Sequence, residues 1–187
     1  MTDKPLKNMT NEELWKLFPI VISEYKPYWK DYYASERTSL KKALGKDMLR
    51  IHHIGSTAIP NLPAKPTIDI LIEIRDETDT QQLIERMEKE GYIYSSQPKK
   101  PSPHMMFMKG YTPQGFAEKV FHVHVRYSGN WDEIYFRDYL LTHPETVREY
   151  GELKLKLKTE FEHDRDAYTA AKTDFIRRIT NLAKRDR

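Results

Sequence analysis

The sequence predicts an α/β (α+β) fold, a mixed β-sheet flanked by helices, with further helices at the C-terminal end. Three observations predict it. Thr67 to Ile74 alternates so that Ile68, Ile70, Ile72 and Ile74 fall on one face, the mark of a strand with a core-facing side. Phe121, Val123, Val125 and Tyr127 repeat that alternation, with Val120, His122, His124 and Arg126 opposite. From Trp131 onward the pattern is helical, broken near Pro144 and Glu162 into two or three helices. A chain of 187 residues suits one domain, so a single unit over 1–187 is expected, with 131–187 as its helical part.

The elements follow in order. Residues 1–9 are expected to be flexible or weakly held. Thr10 with Glu13 makes a capping-box pattern for a short helix through Phe18. Ile20-Val21-Ile22 is apolar and β-branched and reads as a short strand. Pro27 opens a helix from Tyr28 to Leu44, which Gly45 ends. Met48 to Ile54 reads as the next strand, and Thr67 to Ile74 as another. Gln81 to Glu90 is an amphipathic helix closed by Gly91, and 95–104 is a polar loop rich in proline. Met105–Met108 and Lys119–Tyr127 read as strands of a hairpin joined through Gly110 and Gly115.

Composition narrows the class. With no cysteine, disulfides and thiolate zinc sites are excluded, which fits a cytoplasmic protein. The sequence shows no apolar signal core and no run of membrane-spanning length, so no membrane partner is expected. The formal charge of +3 is too small to argue for nucleic acid as a partner.

The chemistry concentrates in His53-Ile54-Gly55-Ser56-Thr57, Lys65-Pro66 and Asp69-Ile70-Leu71-Ile72. A glycine lets backbone N–H groups approach a phosphate, and a serine hydroxyl adds a donor. Asp69, an acid among four isoleucines, is disfavoured in a strand interior without a partner, unless it simply faces solvent. A carboxylate there could hold the magnesium that accompanies a nucleoside triphosphate. Alone, Gly55-Ser56 is an ordinary turn, and Lys65 either adds a positive charge beside it or is a solvated loop lysine. His122 and His124, about 6.6 Å apart along one strand face, could reach one metal or one phosphate, or could be hydrogen-bonded residues of a polar face. An imidazole-rich set would favour zinc or manganese over magnesium. Tyr168 and Lys172 lie four apart on a helix face; the ring could stack on a base and the ammonium meet a phosphate, or the pair could be packing and solvation. Arg137 and Asp138, adjacent on a helix, are not expected to face each other and read as structural.

Gly55-Ser56, a gap of twelve residues and Asp69 on an apolar strand resemble the signature of the nucleotidyltransferase superfamily. The longer run His53 to Pro60, with Lys65-Pro66, Asp69-Ile70-Leu71, Phe121 to Val125, Phe136 to Leu140, Tyr168, Lys172 and Phe175-Ile176, resembles the GrpB family over about 18–180. The resemblance implies a nucleotidyltransferase-like sheet and a site for a nucleoside triphosphate with Mg2+ or Mn2+. In that reading Gly55, Ser56, Lys65, Arg126, Tyr168 and Lys172 bind the nucleotide. Asp69, His122 and His124 hold the metal, Asp69 and His124 serve catalysis, and the acceptor is unassigned. One departure stands out. The superfamily carries a second acid two residues after the first, where this chain has Leu71; Glu73 shares the face but lies about 13 Å along the strand. The alternative is a non-catalytic module with a folding-accessory or regulatory role, as the resemblance implies for GrpB domains fused to dephospho-coenzyme A kinase.

Overall fold

The computed structural model describes residues 5–186. The sheet has the order β1-β2-β5-β4-β3, from β1 (Met48–Ile54), β2 (Thr67–Ile74), β3 (Ile93–Ser95), β4 (Met105–Thr112) and β5 (Gly115–Tyr127). β1 pairs antiparallel with β2, β2 parallel with β5, and β5 antiparallel with β4. The sheet is therefore mixed, as the alternation predicts. In the register, Asp69 stands beside His122 and Leu71 beside His124.

One face is the main core. The four isoleucines of β2 are fully buried there with Phe121, Val123, Val125 and Phe107, beneath Trp29, Leu40 and Leu44 of α2 (Trp29–Leu44) and Leu83 and Met87 of α3 (Thr80–Lys89). Burying a side chain of this size is worth about 1.5–3 kcal/mol, so this face dominates the sheet's stability. α1 (Asn11–Leu17) carries both arms of the capping box between Thr10 and Glu13. Leu6–Asn8 form a 3₁₀ turn, while 1–4 lie outside the described residues.

On the opposite side stand α4 (Asp132–Thr142), which packs on β1, α5 (Pro144–Glu160) and α6 (Arg165–Ala171), which line a cavity with β2 and β5, and α7 (Thr173–Arg185), which packs on α4 and α6. The breaks at Pro144 and Glu162 fall where expected; a further break at Lys172 separates α6 from α7. Ile20-Val21-Ile22 is not a strand. Only Ser23 bridges to Ala64, and Ile20 is buried with Leu157 and Tyr168 of the helices. A β-branched run needs a free ladder to become a strand, and here helices take its side chains instead. β3 lies where the sequence suggested the approach to a loop; it is three residues long, too short to show alternation.

Arg137 and Asp138 do face each other. Arg137 Nε and Nη2 donate to Asp138 Oδ1 at 2.8 and 2.6 Å, and Arg137 Nη1 donates to the carbonyl of His53 at 3.1 Å. The long guanidinium stem folds back over the neighbouring residue, which backbone spacing alone does not reveal.

Candidate functional site

The Gly-Ser turn and the strand acid touch. Gly55 has φ +69°, and a Cβ there would lie 2.4 Å from Asp69 Oδ2 and 2.9 Å from Asp69 Cβ. The carboxylate therefore packs over the bare glycine α-carbon. Ser56 opens a 3₁₀ turn that closes back toward β2, where Thr57 Oγ1 donates to the Thr67 carbonyl at 3.1 Å.

Asp69 Oδ1 lies 3.4 Å from His122 Nδ1 and 4.0 Å from His124 Nε2. His122 Nε2 meets the Tyr111 hydroxyl at 2.6 Å, with the two ring planes nearly parallel. With the proton on Nδ1, His122 faces Asp69 as a donor and accepts from the Tyr111 hydroxyl at Nε2, so both nitrogens are engaged. Burial works to raise the Asp69 pKa, yet the hydrogen bond and charge of His122, with His124 and Lys65, bring it below the usual value, so the carboxylate stays ionised. Burial lowers the His124 pKa, which keeps this imidazole neutral.

These groups open into a cavity of about 400 Å³, lined also by Lys65, Lys154, Arg165, Tyr168 and Lys172. Lys154 is only 2% exposed. Its ammonium donates to Ser56 Oγ at 3.0 Å and to the Pro63 carbonyl, and lies over the Tyr150 ring. Burial, then the neighbouring Lys172 and Lys65, lower its pKa to about 6. Burial with Lys172 and Arg165 lowers Lys65 to about 7, and burial lowers Lys172 to about 8. Tyr168 is fully buried, with the ammonium groups of Lys65 and Lys172 over its ring at 4.7 and 4.1 Å. That leaves no open face for a base to stack on. Its hydroxyl is buried without a hydrogen-bond partner.

The cavity thus gathers Ser56, Lys65, Asp69, His122, His124, Tyr168 and Lys172, with Gly55 behind Asp69. Arg126 is not among them. It is 7% exposed, donates to the Met105 and Val125 carbonyls, and stands 3.8 Å from Glu133. Alternation gave its face but not its depth along the strand. Lys154 and Arg165 were missed. Lys154 had a signal, a lysine in the buried stripe of Val147, Tyr150 and Leu157 on α5. Arg165, at the start of α6, had none.

The donors do not fit a protein-held Mg2+ or Mn2+ centre. Among the described residues, no group of three or more His, Cys, Asp or Glu side chains is placed to hold a metal ion. Asp69 and Asp166 are the two carboxylates of the cavity but form no three-ligand group with the histidines, His122 has no free nitrogen, and Leu71 is fully buried where a second acid would stand. The cavity suits an anion: four cationic side chains face two carboxylates, Asp69 and Asp166.

This sheet, with a glycine-serine turn against a strand aspartate, defines a nucleotidyltransferase-like fold. The chain matches Cid1 poly(U) polymerase with a TM-score of 0.50 at 13% identity, covering 79% of this chain and 45% of that one. It matches a cytoplasmic RNA terminal U-transferase with a TM-score of 0.51 at 12% identity, covering 79% and 46%. The chain belongs to the GrpB family, whose sequence profile, described as GrpB protein, matches residues 19–182. The structure of GrpB from Enterococcus faecalis aligns with a TM-score of 0.79 at 31% identity, over 89% of this chain and 98% of that one. A UPF0157 protein of Pseudomonas aeruginosa is 38% identical over 84% of this chain, and YqkA of Bacillus subtilis 34% over 92%. The chain spans 64% and 50% of the lengths of those two relatives. A dephospho-CoA kinase of Mycolicibacterium paratuberculosis is 26% identical over 85% of this chain and 44% of its own length. Among the described residues, no helix is long and apolar enough to cross a membrane.

Proposed function

We propose that the cavity binds a nucleoside triphosphate and that the protein transfers its nucleotidyl group to an acceptor. The observation that carries this reading is the convergence of Gly55, Ser56, Asp69 and the lysine cluster on one cavity. In the transfer, a nucleophilic hydroxyl or amine of the acceptor attacks the α-phosphorus. The bond to the pyrophosphate oxygen breaks, pyrophosphate leaves, and the acceptor's proton passes to a base. Ser56 and Lys154 would hold the phosphate chain at the turn, while Lys65, Lys172 and Arg165 neutralise charge that develops on the leaving group. His124, kept neutral by burial, would take the proton. His122 would act as a positioning residue, holding Asp69 from one side while Tyr111 holds His122 from the other.

Titration calorimetry with each of the four ribonucleoside triphosphates, in Mg2+ and in Mn2+, tests the binding step. Heat with at least one nucleotide, lost in Asp69→Ala or Lys172→Met, is the expected outcome. Absence of heat with all four at high protein concentration removes the reading.

A second reading is favoured by Leu71, buried and apolar where the fold's second acid would be. A domain that keeps the cavity but has given up the chemistry would serve as a regulatory or folding-accessory module. The kinship with the dephospho-CoA kinase supports this, since the matched region fills less than half of that protein. The readings separate on Asp69→Ala in cells: loss of function with the fold intact favours the enzyme.

A further inference from the structure

We propose that this cavity holds a polyphosphate chain without a divalent ion, the ammonium groups of Lys65, Lys154 and Lys172 with the Arg165 guanidinium supplying the positive charge. The inference deepens the triphosphate reading and rests on it for the nucleotide, though not for the phosphates.

The first argument is from the donors. Asp69 turns Oδ2 onto Gly55 and Oδ1 toward two imidazoles, one of which is fully engaged. The next acid along the strand, Glu73, is 1% exposed and spent. Its oxygens accept from Arg50 Nη2 at 2.7 Å and Gly129 N at 3.1 Å, and meet His52 Nε2 at 3.0 Å. No second carboxylate can swing in from this face of β2, and Asp166, the cavity's other carboxylate, forms no three-ligand group with Asp69 and the histidines among the described residues.

The second argument is from the cations. Among the described residues, no carboxylate stands within ion-pair distance of Lys65, Lys154 or Lys172. Buried charges are ordinarily paired, because an unpaired ammonium loses hydration without return. Lys154 is buried and Lys65 and Lys172 are half-buried around one cavity, an incomplete arrangement that a polyanion completes. Lys154 reaches Ser56 Oγ, the hydroxyl that faces the phosphates in the triphosphate reading, so its charge stands where an ion bridging turn and phosphate would stand. The buried, unpartnered Tyr168 hydroxyl is a separate sign of a missing acceptor, and a phosphate oxygen is one.

The test is calorimetry on the full chain with inorganic tripolyphosphate, once in excess EDTA and once in Mg2+, at matched ionic strength. The expected result is binding in EDTA, with Mg2+ tightening the dissociation constant by less than about tenfold. Lys154→Met is expected to weaken binding in EDTA by about tenfold or more, the loss of a hydrogen bond to a charged group. Circular dichroism checks its fold, and Lys172→Met, whose ammonium contacts a ring in place of a carbonyl, gives a second variant. Weakening of the wild-type affinity with added salt needs no variant at all. Tripolyphosphate binding that vanishes in EDTA and returns with Mg2+ overturns the inference and leaves the nucleotide reading standing. Binding in EDTA with no nucleoside triphosphate bound more tightly than tripolyphosphate upholds the inference and removes the nucleotide. Silence of every probe removes both.

Discussion

The contact between Gly55 and Asp69 is the tightest constraint in the site. A methyl group at 55 would meet the carboxylate well inside van der Waals contact, from a backbone with positive φ. Gly55→Ala is therefore expected to destabilise the fold by about 1–3 kcal/mol, read as a lowered urea midpoint, and to weaken any ligand that uses Asp69. Tyr111→Phe removes the hydrogen bond that fixes His122. Its expected cost is about 1 kcal/mol in urea unfolding, with looser phosphate binding because Asp69 loses a fixed neighbour. At this scale the sequence was legible where a residue broke its local pattern. An acid among isoleucines and a glycine-serine pair at a strand end both did. Arg126 kept to its alternating face and was still carried away from the cavity, since which groups stand at a given height depends on partners distant in sequence.

At the scale of elements, α5, α6 and the start of α7 act as a charged lid over the sheet face that bears Asp69. Lys154 (about 6), Lys65 (about 7) and Lys172 (about 8) all have folded-state pKa values below the ordinary lysine value of 10.5. Below about pH 6 all three carry charge where burial strips its hydration, with repulsion from neighbouring cations added at Lys154 and Lys65, a penalty that fades as pH climbs and each proton leaves. The free protein should gain stability from these groups as pH rises from about 6 toward the ordinary lysine value of 10.5, and a bound polyanion should help most at the acidic end. Tripolyphosphate at a hundredfold excess over its dissociation constant adds about 2.7 kcal/mol, a rise in Tm of about 5–10 °C for a chain of this size. Differential scanning calorimetry at pH 6, 7 and 8 is expected to show that rise shrinking with pH; a rise that grows instead contradicts the charge assignment. Long periodic elements were readable here, β2 and α2 above all. Ile20–Ile22 misled because propensity does not say whether a sheet edge is free, and β3 escaped because three residues carry no period.

For the molecule as a whole, the sheet and its helical cover are joined at few polar points, and Arg137 is one of them. Its guanidinium ties α4 to the His53 carbonyl on the outer edge of β1. Arg137→Ala is expected to cost about 1.5–3 kcal/mol, measured by urea unfolding, and to leave the calorimetric affinity for phosphate within about threefold, since the residue does not line the cavity. The mixed sheet was foreseeable because its two central strands are long and apolar. Of the cation ring, Lys65 and Lys172 were named from the sequence and Lys154 and Arg165 were not, because the ring is assembled from the loop before β2 and from helices more than eighty residues later.

The parallel pairing of β2 with β5 has a temporal consequence. Residues 75–114 must be made and folded out of the way before His122 can come to rest beside Asp69, and Lys172 arrives later still. A chain growing on the ribosome therefore holds the aspartate against Gly55 alone while the fifty-three residues up to His122 are added. Competence to capture a ligand should switch on late and all at once, when the last helices emerge and dock.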